Sequence, residues 1–391
     1  MLLWILGTLC ALFVFLTLLP LSRKTVWWVR GADFPRAQFV VLGCLVLAGT
    51  PAIFDTHRTA AWFIVGITSV CIAYQLWWIW PYTRLHAKEV KPAAGESRER
   101  LRIMSANILM TNRRAGDLVR IVGRERPDVL VTLETNGWWE RELKSLERDY
   151  PHTLKCPLEN LYGMHLYSRL PLEDAKIQFL VEDDLPSMHL LLVLPSGRRV
   201  ELHCIHPAPP SPTENPTSRE RDAELVMVGR SVVDSEYPVV VCGDLNDVAW
   251  SATTRLFRKV SELLDPRIGR GMYNTFHAQH FFMRWPVDHV FHSKHFCVVQ
   301  LERLECCGSD HFPMLIELEV DERACHEQRG MTADAEDEAE AEEKLEKKAV
   351  SEQEVHQPGR SGKRSKRERD VREVERSARS APASQAQAGR P

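Results

Sequence analysis

The chain has 391 residues, enough for one large domain or two of ordinary size. Its formal net charge of −3 excludes a uniformly basic or acidic chain, but the charge is unevenly distributed. The first 81 residues are apolar and almost uncharged, the middle has ordinary globular composition, and roughly the last 70 are mostly charged or small. These three compositions predict three kinds of structure.

The first region predicts three membrane-spanning helices, because each of its apolar runs has about the 20 residues that a helix needs to cross a bilayer. The runs cover residues 2–21, 37–54 and 60–80. Tryptophans near the ends of these runs suit the headgroup level of a membrane. A secretory signal peptide is the alternative for the first run, which lacks a basic start and a small-residue cleavage site.

Basic residues next to the runs predict their orientation. The turn between the second and third runs offers only Arg58, whereas the other two flanks carry Arg23, Lys24, Arg30, Arg36, Arg84, Lys88 and Lys91. By the positive-inside rule, the protein is a multi-pass membrane protein whose chain after residue 82 is cytoplasmic. Translocation of the large domain is the alternative. The cysteines after residue 100 show no metal-like spacing and fit a reducing cytosol slightly better.

Residues 83–100 are polar and predict a flexible linker before a soluble domain that begins at Leu101. A strand from Leu101 to Asn107, a helix over 117–125 and a buried strand over 127–134 follow. Asn107 and Glu134 both end a strand, which is where α/β proteins build their sites. Taken alone, Glu134 could equally be a solvated turn residue. Because Asn107 lies at the same edge, Glu134 becomes a candidate ligand.

The next segment predicts antiparallel strands over 163–171, 189–195 and 199–206, followed by an amphipathic helix over 218–232. His206 is a candidate site residue because its strand stops there. The other histidines of these strands are interpreted as ordinary sheet residues, namely His165, His189 and His203.

The stretch from Tyr237 to Asp247 organises the domain. Its valine run predicts a strand buried on both faces, which Gly243 ends. Asp244 and Asn246 lie two residues apart, so in an extended segment they point the same way and could hold water or phosphate. The alternative is an Asx-type turn that caps the strand.

Beyond this strand the pattern predicts a helix over 251–260, a strand region from Thr275, and a strand over 287–291 that carries Asp288. Asp310 and His311 lie in a small-residue turn just before a final strand over 314–320. Both again lie at the end of a predicted strand.

Polar side chains thus collect at strand ends, at Asn107, Glu134, His206, Asp244, Asn246, Asp288, Asp310 and His311. Carboxylate and amide oxygens without a cysteine ligand set suit Mg²⁺ or Mn²⁺. A histidine with a nearby aspartate suits an oriented acid, base or oxyanion partner. This inventory indicates metal-assisted phosphoester hydrolysis.

In order and spacing, these motifs resemble the endonuclease/exonuclease/phosphatase family, which has a deoxyribonuclease I-like fold. The resemblance covers residues 101–320 and also includes a Tyr-Ser-Arg turn at Arg169. It implies a four-layer α/β sandwich, in which two mixed β-sheets pack face to face with helices outside. Here the sandwich would follow three transmembrane helices, as in a membrane-anchored bacterial-type member.

The resemblance also implies roles for the site residues. Glu134 would be the main ligand of Mg²⁺ or Mn²⁺, with Asn107 beside it and Asp310 near the metal. Asp244 would align or deprotonate the attacking water. Three residues would contact the phosphate, with Asp288 orienting the last of them: Asn246, His206 and His311.

The predicted function is a membrane-anchored, divalent-metal-dependent phosphoester hydrolase of the phosphodiesterase or nuclease type. Its substrate would be a phosphodiester or phosphomonoester, either nucleic acid or a phospholipid headgroup, and the membrane would be its partner. The sequence points to no protein partner. The alternative is a non-catalytic, membrane-anchored scaffold that keeps the fold.

Residues 321–391 have an acidic block over 334–343, a basic block over 360–379 and few apolar residues, so they predict a disordered charged tail. A coiled coil over 333–355 is the alternative.

Overall fold

The computed structural model describes residues 2–53, 58–95 and 99–360. Its N-terminal part consists of helices α1 (Leu2–Leu18), α2 (Trp27–Arg30), α3 (Arg36–Ile53) and α4 (Arg58–Ile79). Two helical stretches, Trp4–Ser22 and Ala61–Tyr82, are long and apolar enough to cross a membrane. The third candidate is the pair Trp27–Asp33 and Arg36–Thr50, which is bent by 71°. Two or three helices could therefore span a bilayer.

The rest of the described chain contains eleven strands, β1 to β11, and six α-helices, α5 to α10. The elements are β1 (Arg100–Asn107), α5 (Ala115–Glu125), β2 (Val129–Leu133), α6 (Gly137–Glu142), β3 (His152–Cys156), β4 (Met164–Ser168), β5 (Leu172–Phe179), β6 (Pro186–Val193), β7 (Arg199–Cys204), α7 (Arg219–Val232), β8 (Val239–Asp244), α8 (Ala252–Ser261), β9 (Asp288–His292), β10 (Phe296–Arg303), β11 (Met314–Val320), α9 (Ala324–Glu327) and α10 (Ala335–Glu346).

These strands form two mixed sheets. The first has the order β10-β11-β1-β2-β4-β3 and the second β5-β6-β7-β8-β9. The inner faces of both sheets contribute to one apolar core, which includes Ile103 and Val131 from one sheet and Leu190 and Val240 from the other. Helices α5 and α6 cover the outer face of the first sheet, and α7 and α8 cover that of the second. The predicted four-layer α/β sandwich is confirmed.

Strand direction brings the polar strand ends to one edge of the sandwich. The parallel pairs β1–β2 and β7–β8 end there with their C-termini. The antiparallel neighbours β9 and β11 start there, since Asp244 pairs with Asp288 and Ser105 with Met314. Residues far apart in sequence therefore meet at this edge.

The strand region predicted from Thr275 is not a strand, because Phe276 forms only isolated bridges to Trp285 and His311. Three strands at or next to the sheet edges were not predicted: β3, β5 and β10. Each lacks a regular apolar pattern, since β3 and β5 have no fully buried residue and β10 changes register at a bulge after Val298.

The predicted flexible linker is packed along the part that the structure describes. Val90 is fully buried in the core between the sheets. Glu89 accepts the backbone N–H of Asp265 at 2.8 Å and pairs with the buried guanidinium of Arg258. Polar composition misled the prediction, because a single valine and a paired glutamate are enough to fix the segment. Residues 96–98 lie outside the described part.

The predicted disordered tail is wrong for residues 321–360. Helix α10 lies on α7 and α8, with Ala341 and Leu345 buried four residues apart on one face. Its acidic side meets basic residues of these helices, and Arg230 lies 2.7 Å from Glu342. Lys344 in turn lies 3.0 Å from the buried Asp222. The composition is that of a solvated segment, but its spacing and charge complement the domain. Residues 361–391 of the tail prediction lie outside the described residues.

The first loop after α1 contacts the domain directly. The backbone N–H of Ser218 donates to Thr25 at 2.8 Å, and that of Trp27 donates to Pro216 at 3.1 Å. The indole Nε1 of Trp250 donates to the carbonyl of Asp33 at 2.8 Å. The domain and this loop therefore lie at the same end of the helices.

We expect Gly243→Ala to destabilise the domain by about 3 kcal/mol, because the added Cβ would lie 1.9 Å from the carbonyl oxygen of Ile205 and φ is +143°. The matched control is Gly116→Ala in α5, where no heavy atom lies within 4 Å, and we expect it to be neutral or stabilising by up to about 1 kcal/mol. Thermal unfolding of both variants in detergent measures the difference, and equal midpoints would contradict the close approach at Gly243.

Candidate active site

Asp244 ends β8 at the polar edge and starts a turn. Its Oδ1 accepts the backbone N–H of Asn246 at 2.9 Å, and Asn246 has a φ of +51°. The segment is therefore an Asx-type turn rather than an extended strand end, which was the alternative interpretation of this motif. The turn directs the second carboxylate oxygen of Asp244 into the site.

That oxygen, Oδ2 of Asp244, is the meeting point of three side chains. The Nδ2 of Asn107 donates to it at 3.2 Å. The Nε2 atoms of His311 and His206 lie 3.6 and 3.9 Å away. Asp244, Asn107 and both histidines are buried, so these polar groups are sheltered from solvent.

His311 and Asp288 form a hydrogen-bonded dyad. The Nδ1 of His311 lies 2.8 Å from Oδ2 of Asp288, which leaves Nε2 facing Asp244. The backbone N–H of Asp288 donates to the hydroxyl of Thr275 at 3.2 Å, and this anchors the start of β9. A carboxylate on one ring nitrogen fixes the orientation of the imidazole and favours its cationic form.

The pKa values of these groups are pushed apart. Burial and the charge of Asp288 raise the pKa of Asp244 to about 7. Burial lowers the pKa of His311, but the carboxylates of Asp288 and Asp244 outweigh it and raise this pKa to about 10. Burial also raises the pKa of Asp288, but the charge and hydrogen bond of His311 hold it below its ordinary value. Near neutral pH, a cationic His311 therefore lies between an ionised Asp288 and a carboxyl that can take up a proton.

His206 differs from His311 because it stays neutral. Burial and the charge of His311 lower the pKa of His206 to about 3. Its Nδ1 is buried and has no hydrogen-bond partner among the described residues. The ring lies against that of Tyr162, with centroids 5.1 Å apart. A neutral imidazole in this position can donate one hydrogen bond to a ligand.

Glu134 lies on the other side of Asn107. Its Oε1 accepts Nδ2 of Asn107 at 2.7 Å, and its Oε2 accepts the backbone N–H of Met110 at 3.4 Å. Burial raises the pKa of Glu134 to about 6, and the nearby carboxylate of Asp310 adds to this effect. A partly buried carboxylate next to a second one, with no Lys or Arg ion pair among the described residues, is a setting that a divalent cation stabilises.

Two sets of side chains at this edge carry atoms that metal ions bind. In one, ligand atoms of Asp244, Asp288 and His311 lie within 4.8 Å of one another. Within that set, Oδ2 of Asp288 is engaged by His311, whereas Oδ1 of Asp288 is buried and has no hydrogen-bond partner among the described residues. The carboxylates of Glu134 and Asp310 and the amide oxygen of Asn107 are hard oxygen donors of the kind that Mg²⁺ or Mn²⁺ prefers, and the charge of His311 acts on both carboxylates.

Asn246 belongs to the turn but its amide nitrogen is engaged. Its side-chain Nδ2 donates to the carbonyl of Pro207 at 3.0 Å, and its backbone carbonyl oxygen accepts a hydrogen bond from Nη1 of Arg221 at 2.7 Å. Arg221 also lies 3.0 Å from the side-chain carboxylate of Asp247. The backbone carbonyl oxygen of Asp247 lies 2.9 Å from Nε2 of His289. These buried contacts hold the turn that carries Asp244. An anion in the site would compete with Pro207 for the Asn246 amide.

Sequence reasoning missed several residues of the site. Tyr162 contacts His206, Thr275 binds Asp288, and the ring of Phe276 lies 4.9 Å from that of His311. Arg221 had no local signal either, whereas Asp247 follows Asn246 in the same motif. These residues come from loops or from a helix face, so the strand-end criterion could not find them.

Some motif residues lie elsewhere. Arg169 is exposed and follows Ser168, which pairs with Val129 at the start of β2, so this turn is at the opposite end of the sheet from Glu134. The buried rings of His189 and His203 pair within the second sheet, with their Nδ1 atoms 2.7 Å apart.

Comparison with known proteins identifies this arrangement. The model of the endonuclease/exonuclease/phosphatase family matches residues 104–311, which is just over half of the chain. A search of curated proteins gave no match.

Several solved structures are similar to the domain. They include an endonuclease/exonuclease/phosphatase from Beutenbergia cavernae DSM 12333, with 18% identity and a TM-score of 0.46 over 57% of this chain and 72% of that chain. D. rerio TDP2 complexed with single strand DNA product has 17% identity and a TM-score of 0.46, over 56% and 99% of the two chains. The human Nocturnin catalytic domain with bound sulfate anion has 18% identity and a TM-score of 0.46, over 57% and 95%. Structural likeness at this level of identity says nothing about substrate. From the family-model match, the chain belongs to the endonuclease/exonuclease/phosphatase family.

Proposed function

We propose that the protein is a membrane-anchored, divalent-metal-dependent hydrolase of phosphoesters, of the phosphodiesterase or nuclease type. The observation that carries the proposal is the convergence of Asn107, His206 and His311 on one oxygen of Asp244, next to Glu134. Family membership supports it, and the carboxylates at the same edge suit the metal.

The residues divide the work as follows. Asp244 takes a proton from the attacking water, and a base with a pKa near 7 is suited to this task at neutral pH. The oxygen of that water forms a bond to phosphorus and one phosphorus–oxygen ester bond breaks. The leaving oxygen takes up a proton from solvent water, and Asp244 then releases its proton to solvent. His311, oriented by Asp288, places positive charge beside the phosphoryl oxygens as negative charge develops there.

Three further residues would hold the metal: Glu134 as main ligand, with Asn107 and Asp310. A bound Mg²⁺ or Mn²⁺ would supply Lewis-acid stabilisation of charge on a phosphoryl oxygen. His206 donates a hydrogen bond to the same phosphate from its neutral ring. Asn246 contributes its amide once the phosphate displaces the carbonyl of Pro207.

A substrate screen tests the proposal. The purified full-length chain in detergent is assayed with Mg²⁺ or Mn²⁺ against plasmid DNA, RNA, phospholipid and a generic aryl phosphodiester. The full chain is needed because α10 and the first loop pack on the domain. We expect turnover of the aryl ester that EDTA abolishes. Inactivity towards every substrate would favour the scaffold alternative.

Glu134→Gln should keep the fold but weaken the apparent affinity for Mg²⁺ at least about tenfold, because it removes charge from a hard-cation site without changing volume. The rate against Mg²⁺ concentration and the rise in unfolding temperature on adding Mg²⁺ both report this affinity. The matched control is Glu173→Gln, since Glu173 is an exposed acid on β5 that pairs with Arg199. Unchanged Mg²⁺ dependence in Glu134→Gln would refute the ligand role.

Asp244→Asn and His311→Ala should each lower kcat/KM at least about 100-fold, since one removes the base and the other a charge that stabilises the transition state. Asp288→Asn should be milder, because Asp288 acts through the ring of His311. In the double variant Asp288→Asn/His311→Ala the second change should add little. Multiplicative losses would show that the two residues act independently.

The domain should lie in the cytoplasm. The seven basic residues of the first loop and the segment after α4 support this orientation, and the contacts of Thr25 and Trp27 with the domain put that loop and the domain at the same end of the helices. A fluorescent protein fused at the C-terminus should be bright, and alkaline phosphatase at the same place inactive. A dark fluorescent fusion together with an active alkaline phosphatase fusion would place the domain on the opposite, non-cytoplasmic side of the membrane.

A further inference from the structure

Residues 277–283 form a loop with apolar side chains at its tip, here called the aromatic loop. Phe281 is 80% exposed, Phe282 58% and Met283 41%. The backbone is nevertheless held, since the N–H of His277 donates to Met283 at 2.8 Å and the N–H of Met283 donates to His280 at 3.0 Å. A fixed loop that presents three large apolar side chains to water marks an interaction surface.

The aromatic loop is attached to the start of α3. The Nε2 of Gln38 donates to the carbonyl of Phe282 at 2.8 Å, and the ring of Phe34 lies 5.6 Å from that of Trp285 just after the loop. On α3 itself, Val41 and Leu45 are 60% and 65% exposed. The apolar tip therefore continues the exposed apolar surface of α3, which belongs to the third candidate span, at the N-terminal end of that helix.

The aromatic loop also borders the site. The backbone N–H of Ala278 donates to the carbonyl of Asp310 at 2.6 Å. Phe276, which precedes the loop, lies against both His311 and Trp285. Short contacts thus connect α3, the loop and the residues proposed to act on phosphate.

We infer that the aromatic loop inserts into the headgroup layer of the bilayer that holds α1, α3 and α4, and that the site acts on phosphoesters of lipid headgroups in that membrane. This inference rests on the proposed hydrolase function. The reaction is the same hydrolysis, in which water adds to phosphorus and one ester bond breaks.

The chemistry of the loop favours lipid over nucleic acid. Residues 277–283 contain no Lys or Arg, so the tip offers no charge to neutralise a phosphate backbone. Phenylalanine and methionine side chains instead gain free energy by leaving water for the apolar part of a bilayer. The neighbouring Arg284 faces inwards and donates from Nη2 to the carbonyl of Ala278 at 2.9 Å.

Photocrosslinking tests the surface without using activity. A benzophenone amino acid replaces Phe281 or Phe282 in the full-length chain, which is then reconstituted in vesicles of phosphatidylcholine, phosphatidylglycerol and phosphatidylinositol. We expect a lipid adduct at both positions in the mass spectrum. The matched control replaces Val233, which is 43% exposed after α7 at the opposite end of the second sheet, and should give no adduct. Absence of lipid adducts at 281 and 282, or adducts to protein instead, would overturn the inference.

Kinetics test the substrate class. In Phe281→Ser/Phe282→Ser, turnover of the vesicle phospholipids should fall at least about tenfold, because two apolar anchors are lost, whereas turnover of a soluble aryl phosphodiester should stay within about twofold. Val233→Ser should change neither rate. Equal losses on both substrates, or faster turnover of single-stranded DNA than of phospholipid by the unmodified protein, would overturn the inference. Failure of the proposed function itself is a different result, namely an unmodified protein that does not hydrolyse the aryl ester.

Discussion

The shared oxygen of Asp244 is the contact on which the site depends. Burying the ionised carboxylate of Asp244 without a partner would be unfavourable in free energy, and the second buried carboxylate, Asp288, would make it more unfavourable. The imidazolium of His311 lies between the two and compensates their charge. Because Asp244 and Asp288 are direct partners in the β8–β9 ladder, sheet register fixes the distance between them. The electrostatics of the site therefore follow from strand pairing.

The same edge of the sandwich meets the N-terminal helices. The hydroxyl of Tyr82, three residues after α4, donates to the carbonyl of Ala249 at 2.6 Å, and the indole of Trp250 donates to the carbonyl of Asp33. Both partners in the domain lie in the loop that follows Asp244 and Asn246. Val90, in the described part of the connection after α4, is buried in the core of the domain. The orientation of the site relative to the helices is thus set by packing and does not depend on a flexible tether.

Much of the fold and of the polar edge could be predicted, because apolar runs that end on a polar residue are a local signal. Val239 to Asp244 and Leu101 to Asn107 are clear examples. An edge strand such as β5 lacks that signal, since none of its residues is fully buried. Helix α10 lies within the segment for which a coiled coil was the alternative to disorder, and its packing on the domain was not predicted because composition hides the spacing of its two buried side chains. Tyr162, Thr275 and Arg221 were missed because only tertiary contacts bring them to the site.

The sequence by itself determined that apolar helices precede an α/β domain and which polar residues end its strands, because hydrophobic periodicity and its interruptions are properties of short segments. Tertiary structure alone decided that Asp244 would face His311, Asn107 and His206 through one oxygen, since these residues come from four separate strands or loops. It also decided that the aromatic loop would lie between the site and α3. Such contacts join residues more than 200 positions apart, such as Gln38 and Phe282, and no local pattern encodes them.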